Sequence, residues 1–323
     1  MHHGIRSVML VAVLCFGAAS AQQALSIATG GTGGVYYPVG GGYAQIIDQF
    51  VDGYTAAVEV TNASVENVAL ISRGDSDLAL VLADTALAAY EGTGRFGEGG
   101  ELPQLANLRA ITIAYTNAVH IITLEDSGIE SLADLRGRRV SVGAPGSGTE
   151  VSAETILNAN GITYDDIDVQ RLSVNETADA LRDGAIDAGF WSGGVPTGGV
   201  LSLAETRQIR LVPISAEEAA NIQAADSTFI TYTFPAGAYR GIDETGSVGT
   251  PNLIIVAAEM DEELAYAFTK ALFENIGVVR GIHPSANETV PEIAVDSPIP
   301  LHAGAIRYFE EIGISVPDRQ RVD

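Results

Sequence analysis

Two glycine-rich stretches hold the residues best suited to chemistry. Residues 30–42 read GGTGGVYYPVGGG, seven glycines around Tyr36, Tyr37 and Pro38, and residues 143–150 read GAPGSGTE. Each follows a strand-like run and opens onto a helical pattern. A helix start leaves N–H groups unpaired and carries roughly half a positive charge, so a glycine turn leading into a helix can hold a carboxylate without a cationic side chain. In the second stretch Ser147, Gly148 and Thr149 occupy that position, with hydroxyls beside the amides. In the first, Gly33, Gly34 and Val35 lie just before Tyr36. Tight turning alone also calls for glycine; two matching loops, one with paired phenol rings, favour binding.

Three further stretches add suitable side chains. In Thr61-Asn62-Ala63-Ser64-Val65-Glu66-Asn67, Ser64 and Asn67 are three apart and share a helical face, while Asn62 suits either a ligand or a helix cap. Asp84 follows an apolar run at 78–82. The lone tryptophan, Trp191, precedes Gly193 and Val195, and its glycine neighbours favour a cleft over a core position. All three stretches follow strand-like runs, and ligands of open α/β sheets bind outside the carboxyl ends of strands.

Other chemistries lack their residues. The first loop has Tyr36 where a dinucleotide fingerprint needs its third glycine, and there is no Gly-Lys-Ser/Thr phosphate loop. Pro145 stands where a hydrolase elbow needs glycine. His120, His283 and His302 are scattered, without a close acid and nucleophile, and His120 reads as a structural histidine. No cluster has metal spacing, and Asp165-Asp166-Ile167-Asp168 lacks the glycine and glutamate of a calcium loop. Neither a metal nor a cofactor is expected.

The elements that must position these residues alternate. Strands are expected at 25–29, 55–60 and 78–82, with helices at 39–50 and 63–73 between them, the rhythm of an open parallel sheet. Strands at 108–115 and 119–124 flank Thr116-Asn117-Ala118, a candidate crossover. A second cycle follows: helix 129–135, strand 139–142, helix 151–160, strand 169–172, helix 175–183, then strands at 188–191 and 209–214. A strand at 252–258 and a helix at 261–276 return the chain to the first half. The expected fold is α/β and two-lobed, each lobe a parallel-rich sheet flanked by helices and joined by a hinge, with 22–117 and 230–323 as one lobe and 118–229 as the other.

The first 21 residues, MHHGIRSVMLVAVLCFGAASA, have a basic start, an apolar run and small residues at the end, the pattern of a secretory signal peptide. Cleavage would remove the single cysteine, Cys15, leaving no disulfide or zinc-thiolate site. It would also remove Arg6, taking the formal charge of the 323-residue chain from −24 to −25. Lys270 is the only lysine. Such a charge repels nucleic acid and anionic lipid, and no later segment suits membrane insertion.

The blocks GGTGGVYYPVG, TNASVENV, AYTNAVHII, GAPGSGTE, DAGFWSGGVPTGGV and TPNLIIV, in this order, resemble the TAXI family of substrate-binding receptors of TRAP transporters. The resemblance spans nearly the whole chain after the leader. It implies a two-lobed periplasmic receptor that hands a small carboxylate (glutamate, glutamine or a 2-oxoglutarate-like dicarboxylate) to a membrane permease driven by an ion gradient. The matching site positions are Gly33, Gly34, Tyr36, Tyr37, Asn62, Ser64, Asn67, Tyr115, Pro145, Ser147, Gly148, Thr149, Trp191, Gly193, Val195 and Thr250. Where the family commonly has Tyr-Pro-Glu-Pro, this chain has Tyr115-Thr116-Asn117-Ala118, a lost acid that bears on recognition of an amine. On these grounds the α-carboxylate is assigned to Ser147, Gly148 and Thr149, the walls to Tyr36, Tyr37 and Trp191, and the distal end to Asn62, Ser64, Asn67 and Asp84. A sensor partner of a membrane kinase shares every one of these residues, and a two-lobed transferase is a further alternative, although no acid–base pair is evident for it.

Overall fold

The computed structural model describes residues 22–322; the expected signal peptide and Cys15 lie outside them. The first strands are apolar runs that end in glycine or polar turns, and each feeds a helix. These are β1 (Gln23–Ala28), α1 (Tyr36–Phe50), β2 (Tyr54–Glu59), α2 (Ser64–Arg73), β3 (Leu78–Leu82) and α3 (Ala83–Glu91). β1 pairs in parallel with both β2 and β3. All five residues of β3 are buried, as expected of a parallel strand covered on both faces. Helix α2 stops at Gly74, whose left-handed conformation (φ 69°) provides the C-cap.

The next strand, β4 (Leu108–Leu124), is 17 residues long and spans about 55 Å at roughly 3.3 Å per residue, longer than one lobe requires. The sequence suggests two strands here; the backbone runs straight through residues 116–118. The second cycle comprises β5 (Arg139–Ser141), α4 (Gly148–Ala159), β6 (Asp168–Gln170), α5 (Val174–Arg182), β7 (Ala188–Gly193), α6 (Gly198–Thr206), β8 (Ile209–Leu211), α7 (Ala216–Ala225) and β9 (Ile230–Phe234). A second long strand, β10 (Thr245–Ala257), is followed by α8 (Glu262–Glu274), α9 (Gly277–Arg280) and α10 (Ala303–Glu311). The expected helix at 129–135 is a short 3-10 turn, Leu132–Leu135.

One sheet carries the order β2-β1-β3-β10-β4-β7-β5-β6, with β8 added to β4 and β9 to β10. β4 and β10 are antiparallel neighbours at its centre, and both pass from one lobe into the other. Their apolar side chains change core partway. Ile113, Ala114 and Tyr115 pack with Leu253–Val256 in the first core, whereas Ala118, Val119 and Val248 belong to the second lobe's two cores. The change of core in both strands falls on Thr116, Asn117, Gly249, Thr250, Pro251 and Asn252, a polar and irregular segment in which Asn117 faces Thr250 and the register shifts between Pro251 and Leu253. Phe234, Tyr239 and Ile242 also pack in the second lobe. Core packing thus carries the second lobe past residue 230, and the return crossing lies within β10.

Candidate functional site

Four strand-to-helix turns, two from each lobe, meet at one cleft of about 320 Å³. Its lining includes Gly33–Tyr36 at the start of α1, Ala63 and Ser64 at the start of α2, Ser147–Thr149 at the start of α4, and Ser173–Glu176 at the start of α5. They meet because each helix follows the carboxyl end of a parallel strand, and both lobes turn those ends toward the crossing strands. At α4 the Ser147 hydroxyl accepts from the Glu150 amide at 3.1 Å, while the Gly148 and Thr149 N–H groups lie among the first four of the helix, which have no intrahelical acceptor. Ser173 and Glu176 cap α5 reciprocally. Ala63, at the N-cap of α2, has φ 75° and is the sole non-glycine residue at positive φ among the described residues. Such a conformation costs an L-residue energy and concentrates at binding sites.

The hydroxyls are half-used. Ser64 Oγ accepts from the Leu82 amide at 3.1 Å, and Thr149 Oγ1 from the Ser192 amide at 3.2 Å; each keeps its own proton to donate. Trp191 anchors its indole N–H on Thr197 Oγ1 at 3.0 Å and lays its ring against Gly34, where an added Cβ would sit 3.0 Å from the ring. Tyr36 donates to Asn252 Oδ1, and burial pushes its hydroxyl pKa far above the ordinary value, so it is a neutral donor. Asn117 Nδ2 also donates to Asn252 Oδ1, at 3.0 Å, and Asn252 Nδ2 donates to the Tyr115 carbonyl at 3.0 Å. Glu176 is the one ionisable acid in the lining, which contains no lysine, arginine or histidine, and its carboxylate accepts from the Ser173 amide at 2.8 Å.

The lobes are drawn together around this cleft. The Gly199 amide donates to the Gly33 carbonyl at 3.1 Å, and the Glu66 amide to the Gly146 carbonyl at 3.3 Å. His283 accepts from the Ser285 amide on Nδ1 at 3.2 Å, so its Nε2–H donates to the Pro196 carbonyl at 2.9 Å. Glu150 on α4 pairs with Arg171 of its own lobe at 2.7 Å and with Arg95 of the first lobe at 3.1 Å. Burial opposes its ionisation, but the two guanidinium groups hold its carboxyl below the usual range. Ser152 on α4 donates to Asp84 Oδ2 at 2.9 Å. Burial raises the Asp84 pKa to about 6 despite that bond. In the second lobe, His120 Nδ1 lies 3.0 Å from the Ala118 carbonyl and its Nε2 lies 2.7 Å from the Tyr239 hydroxyl. Burial lowers its pKa to about 4, so it is neutral and structural.

Of the residues singled out from sequence, Gly33, Gly34, Tyr36, Asn62, Ser64, Ser147, Gly148, Thr149, Trp191 and Gly193 line the cleft. The others lie elsewhere. Asn67 is consumed internally: it donates to the Thr29 and Leu80 carbonyls at 2.7 and 2.8 Å and accepts from Thr61 at 2.6 Å. Asp84 is buried beneath the cleft in the interlobe bond to Ser152. Tyr115 and Thr250 are buried on the crossing strands, each with a hydroxyl that has no partner among the described residues. Val195 packs on a second-lobe core. Tyr37 is half-buried and outside the lining, whereas its neighbour Tyr36 is part of it. Pro145 is also outside it. The sequence alone does not single out Ser173, Asn175 and Glu176, although Ser-x-x-Glu before an apolar run is a capping-box signature, and it marks Asn117 as part of a candidate crossover and as a departure from the family pattern, not as a site residue. Ser192 carried no signal of its own. Among the described residues no acidic, histidine or cysteine cluster could hold a metal, and no helix is long and apolar enough to cross a membrane.

Solved structures share the architecture at low identity. A protein of Bordetella bronchiseptica superposes with a TM-score of 0.55 at 15% identity, over 94% of this chain and 86% of that one. PhnD1 of Prochlorococcus marinus, solved in complex with methylphosphonate, gives 0.53 at 13% identity over 82% and 90%. The Escherichia coli periplasmic aliphatic sulphonate-binding protein SsuA gives 0.45 at 14% identity over 90% and 83%. The fold is that of two-lobed periplasmic binding proteins. Residues 27–313, including both lobes and every turn around the cleft, match the NMT1-like family, and the chain belongs to that family.

Proposed function

We propose that this chain is an extracytoplasmic solute receptor of the TAXI type, which holds a small carboxylate between its lobes and delivers it in the periplasm to a TRAP permease. The observation that carries this reading is the convergence of four helix starts from both lobes on a cleft whose lining has no cationic side chain. Each start contributes roughly half a positive charge and free N–H donors, so an anion gains from both lobes at once, and only when they are closed. A ligand shifts an equilibrium by its differential affinity for the two states; closure here brings α1 and α2 of one lobe to the ligand held by α4 and α5 of the other. The closed surface is then what a permease reads. Binding rather than turnover fits a lining without histidine, cysteine or lysine. The family membership and the binding-protein fold are consistent with this role, and the TRAP partner rests on the ordered sequence blocks.

A thermal-shift screen of small carboxylates against matched neutral and cationic analogues tests the reading. A carboxylate at about 100 times its dissociation constant is expected to add ~2.7 kcal/mol of stability. Thr149→Pro places proline in the first turn of α4, where a helix tolerates it, and deletes one amide donor; the shift is expected to vanish. Thr149→Val keeps the amide, and the shift is expected only to shrink. Equal binding of neutral analogues, or an undiminished shift in the proline variant, would remove the anion from this cleft.

A further inference from the structure

The cleft has two chemically opposite ends. At the helix starts it offers mainly amide and hydroxyl donors, with the Glu176 carboxylate at the start of α5 as the one charged acceptor. Where the lobes cross it offers an acceptor, and the hydrogen-bond network fixes its identity. Asn252 must present Nδ2 to the Tyr115 carbonyl, which can only accept. Its Oδ1 therefore faces Tyr36 and Asn117 and receives both the Tyr36 hydroxyl and Asn117 Nδ2. Asn117 is thereby locked with Oδ1 free. That oxygen is buried and has no partner among the described residues, and the same holds for the Ser192 hydroxyl one strand away; both residues line the cleft. Buried polar groups in folded proteins are nearly always satisfied, and an exception asks for an occupant.

We infer that Asn117 Oδ1, with Ser192 beside it, selects ligands that carry an uncharged hydrogen-bond donor, a hydroxyl or a carboxamide, in addition to the carboxylate. This rests on the receptor reading and narrows its ligand class. An ammonium is the other donor that could reach Oδ1, but among the described residues no carboxylate contacts Asn117 or Ser192 to balance it there. Glu176 is exposed at the start of α5, where one of its oxygens accepts from the Ser173 amide, and Asp84 lies outside the lining in its bonds to Thr85 and Ser152. A buried charge without a counter-charge is strongly disfavoured, and four helix starts repel a cation further. A plain dicarboxylate would leave Oδ1 unpaired against a second carboxylate. Hydroxy acids and acid amides satisfy both ends.

Calorimetric titration with three sets of four- and five-carbon ligands decides this: succinate and glutarate, their 2-hydroxy and half-amide derivatives, and aspartate and glutamate. The hydroxy or half-amide compounds are expected to bind at least about 10-fold more tightly than both other sets, the scale of one buried hydrogen bond whose loss leaves a partner unpaired. In Asn117→Leu the preference is expected to collapse to within about 2-fold, whatever the absolute affinities of the three sets. This comparison is internal to each protein and does not depend on variant stability. Preference for the amino acids, or equal binding of plain and hydroxylated acids by the wild-type protein, overturns the inference while leaving a carboxylate receptor intact. Failure of every carboxylate to bind overturns the receptor reading as well.

Discussion

The two glycine loops look alike in sequence but need glycine for different reasons. In the loop before α1, none of Gly30, Gly31, Gly33 and Gly34 has positive φ. There the missing side chain matters at the lobe interface: a Cβ on Gly33 would lie 2.0 Å from Asn175 Oδ1 and one on Gly34 would meet Trp191. In the loop before α4, Gly143 and Gly146 have φ of 105° and 71°, a left-handed path closed to most residues; a Cβ on Gly143 would also lie 2.8 Å from Thr149 Cβ of its own turn, and only Gly148 makes its close approach to the opposite lobe, its Cβ falling 2.5 Å from Leu82 and 2.6 Å from Ser64 Oγ. One loop is shaped by the opposite lobe, the other mainly by its own turn. Glycine richness at a binding cleft thus mixes two demands that substitutions can separate.

The sharpest separation is expected at Gly148. Gly148→Ala keeps the amide and improves helix propensity, yet its Cβ would meet Leu82 and the Cβ of Ser64, which is tied to the α2 backbone, so the lobes cannot close fully. Calorimetry is expected to show at least about 100-fold weaker binding, on the order of 2.7 kcal/mol, while the melting temperature of the unliganded protein stays near wild type. Unchanged affinity would mean that the interface yields and that close approach does not explain this glycine.

Asp84 offers the next largest effect, on the same interface. Its raised pKa means that the folded state favours the neutral form, so its contribution is present at low pH and is lost as pH rises from about 3.8 through about 6. Asp84→Asn keeps Oδ1 as the acceptor for Thr85, turns Nδ2 toward Ser152, whose hydroxyl can accept instead of donate, and removes the charge. Denaturant titrations are expected to show a gain on the order of 2 kcal/mol at pH 8 that fades toward pH 4; a gain equal at both pH values would contradict the assignment. The smallest effect tests the turn. Gly146→Ala has open space for its Cβ but a left-handed backbone, and it is expected to cost about 1 kcal/mol of folding stability with affinity nearly unchanged. Gly31→Ala, which has open space and no positive φ, serves as the control and is expected to alter neither.

Much of the site was legible because local rules generate it. Strand, glycine turn and helix place amides at a helix start wherever they occur, and the ten cleft-lining residues found from sequence lie in or beside such turns. The residues that settled elsewhere fail for a common reason. Asn67, Asp84, Tyr115 and Thr250 are polar and near the right strand ends, but a sequence does not reveal which polar side chains the fold will bury and satisfy internally. Asn67 spends its amide on the Thr29 and Leu80 carbonyls, and Asp84 is used to join α3 to α4. The Ser173–Glu176 turn was overlooked because it lacks glycine, although its helix start is equivalent in its dipole.

The alternation of apolar strands and amphipathic helices determined by itself that this chain forms a parallel-rich α/β sheet, and the glycine turns determined where helices begin. These are interactions between near neighbours along the chain, fixed by backbone sterics and side-chain period. Which helix starts face one another, that β4 and β10 run unbroken through both lobes, and that Asn117 is left with one free acceptor are set by contacts between residues more than a hundred positions apart, such as Asn117 with Asn252 and Tyr36 with Asn252. Only the folded arrangement decides those, because a buried hydrogen-bond network assigns donors and acceptors collectively and no member's role can be read from its own neighbourhood in the chain.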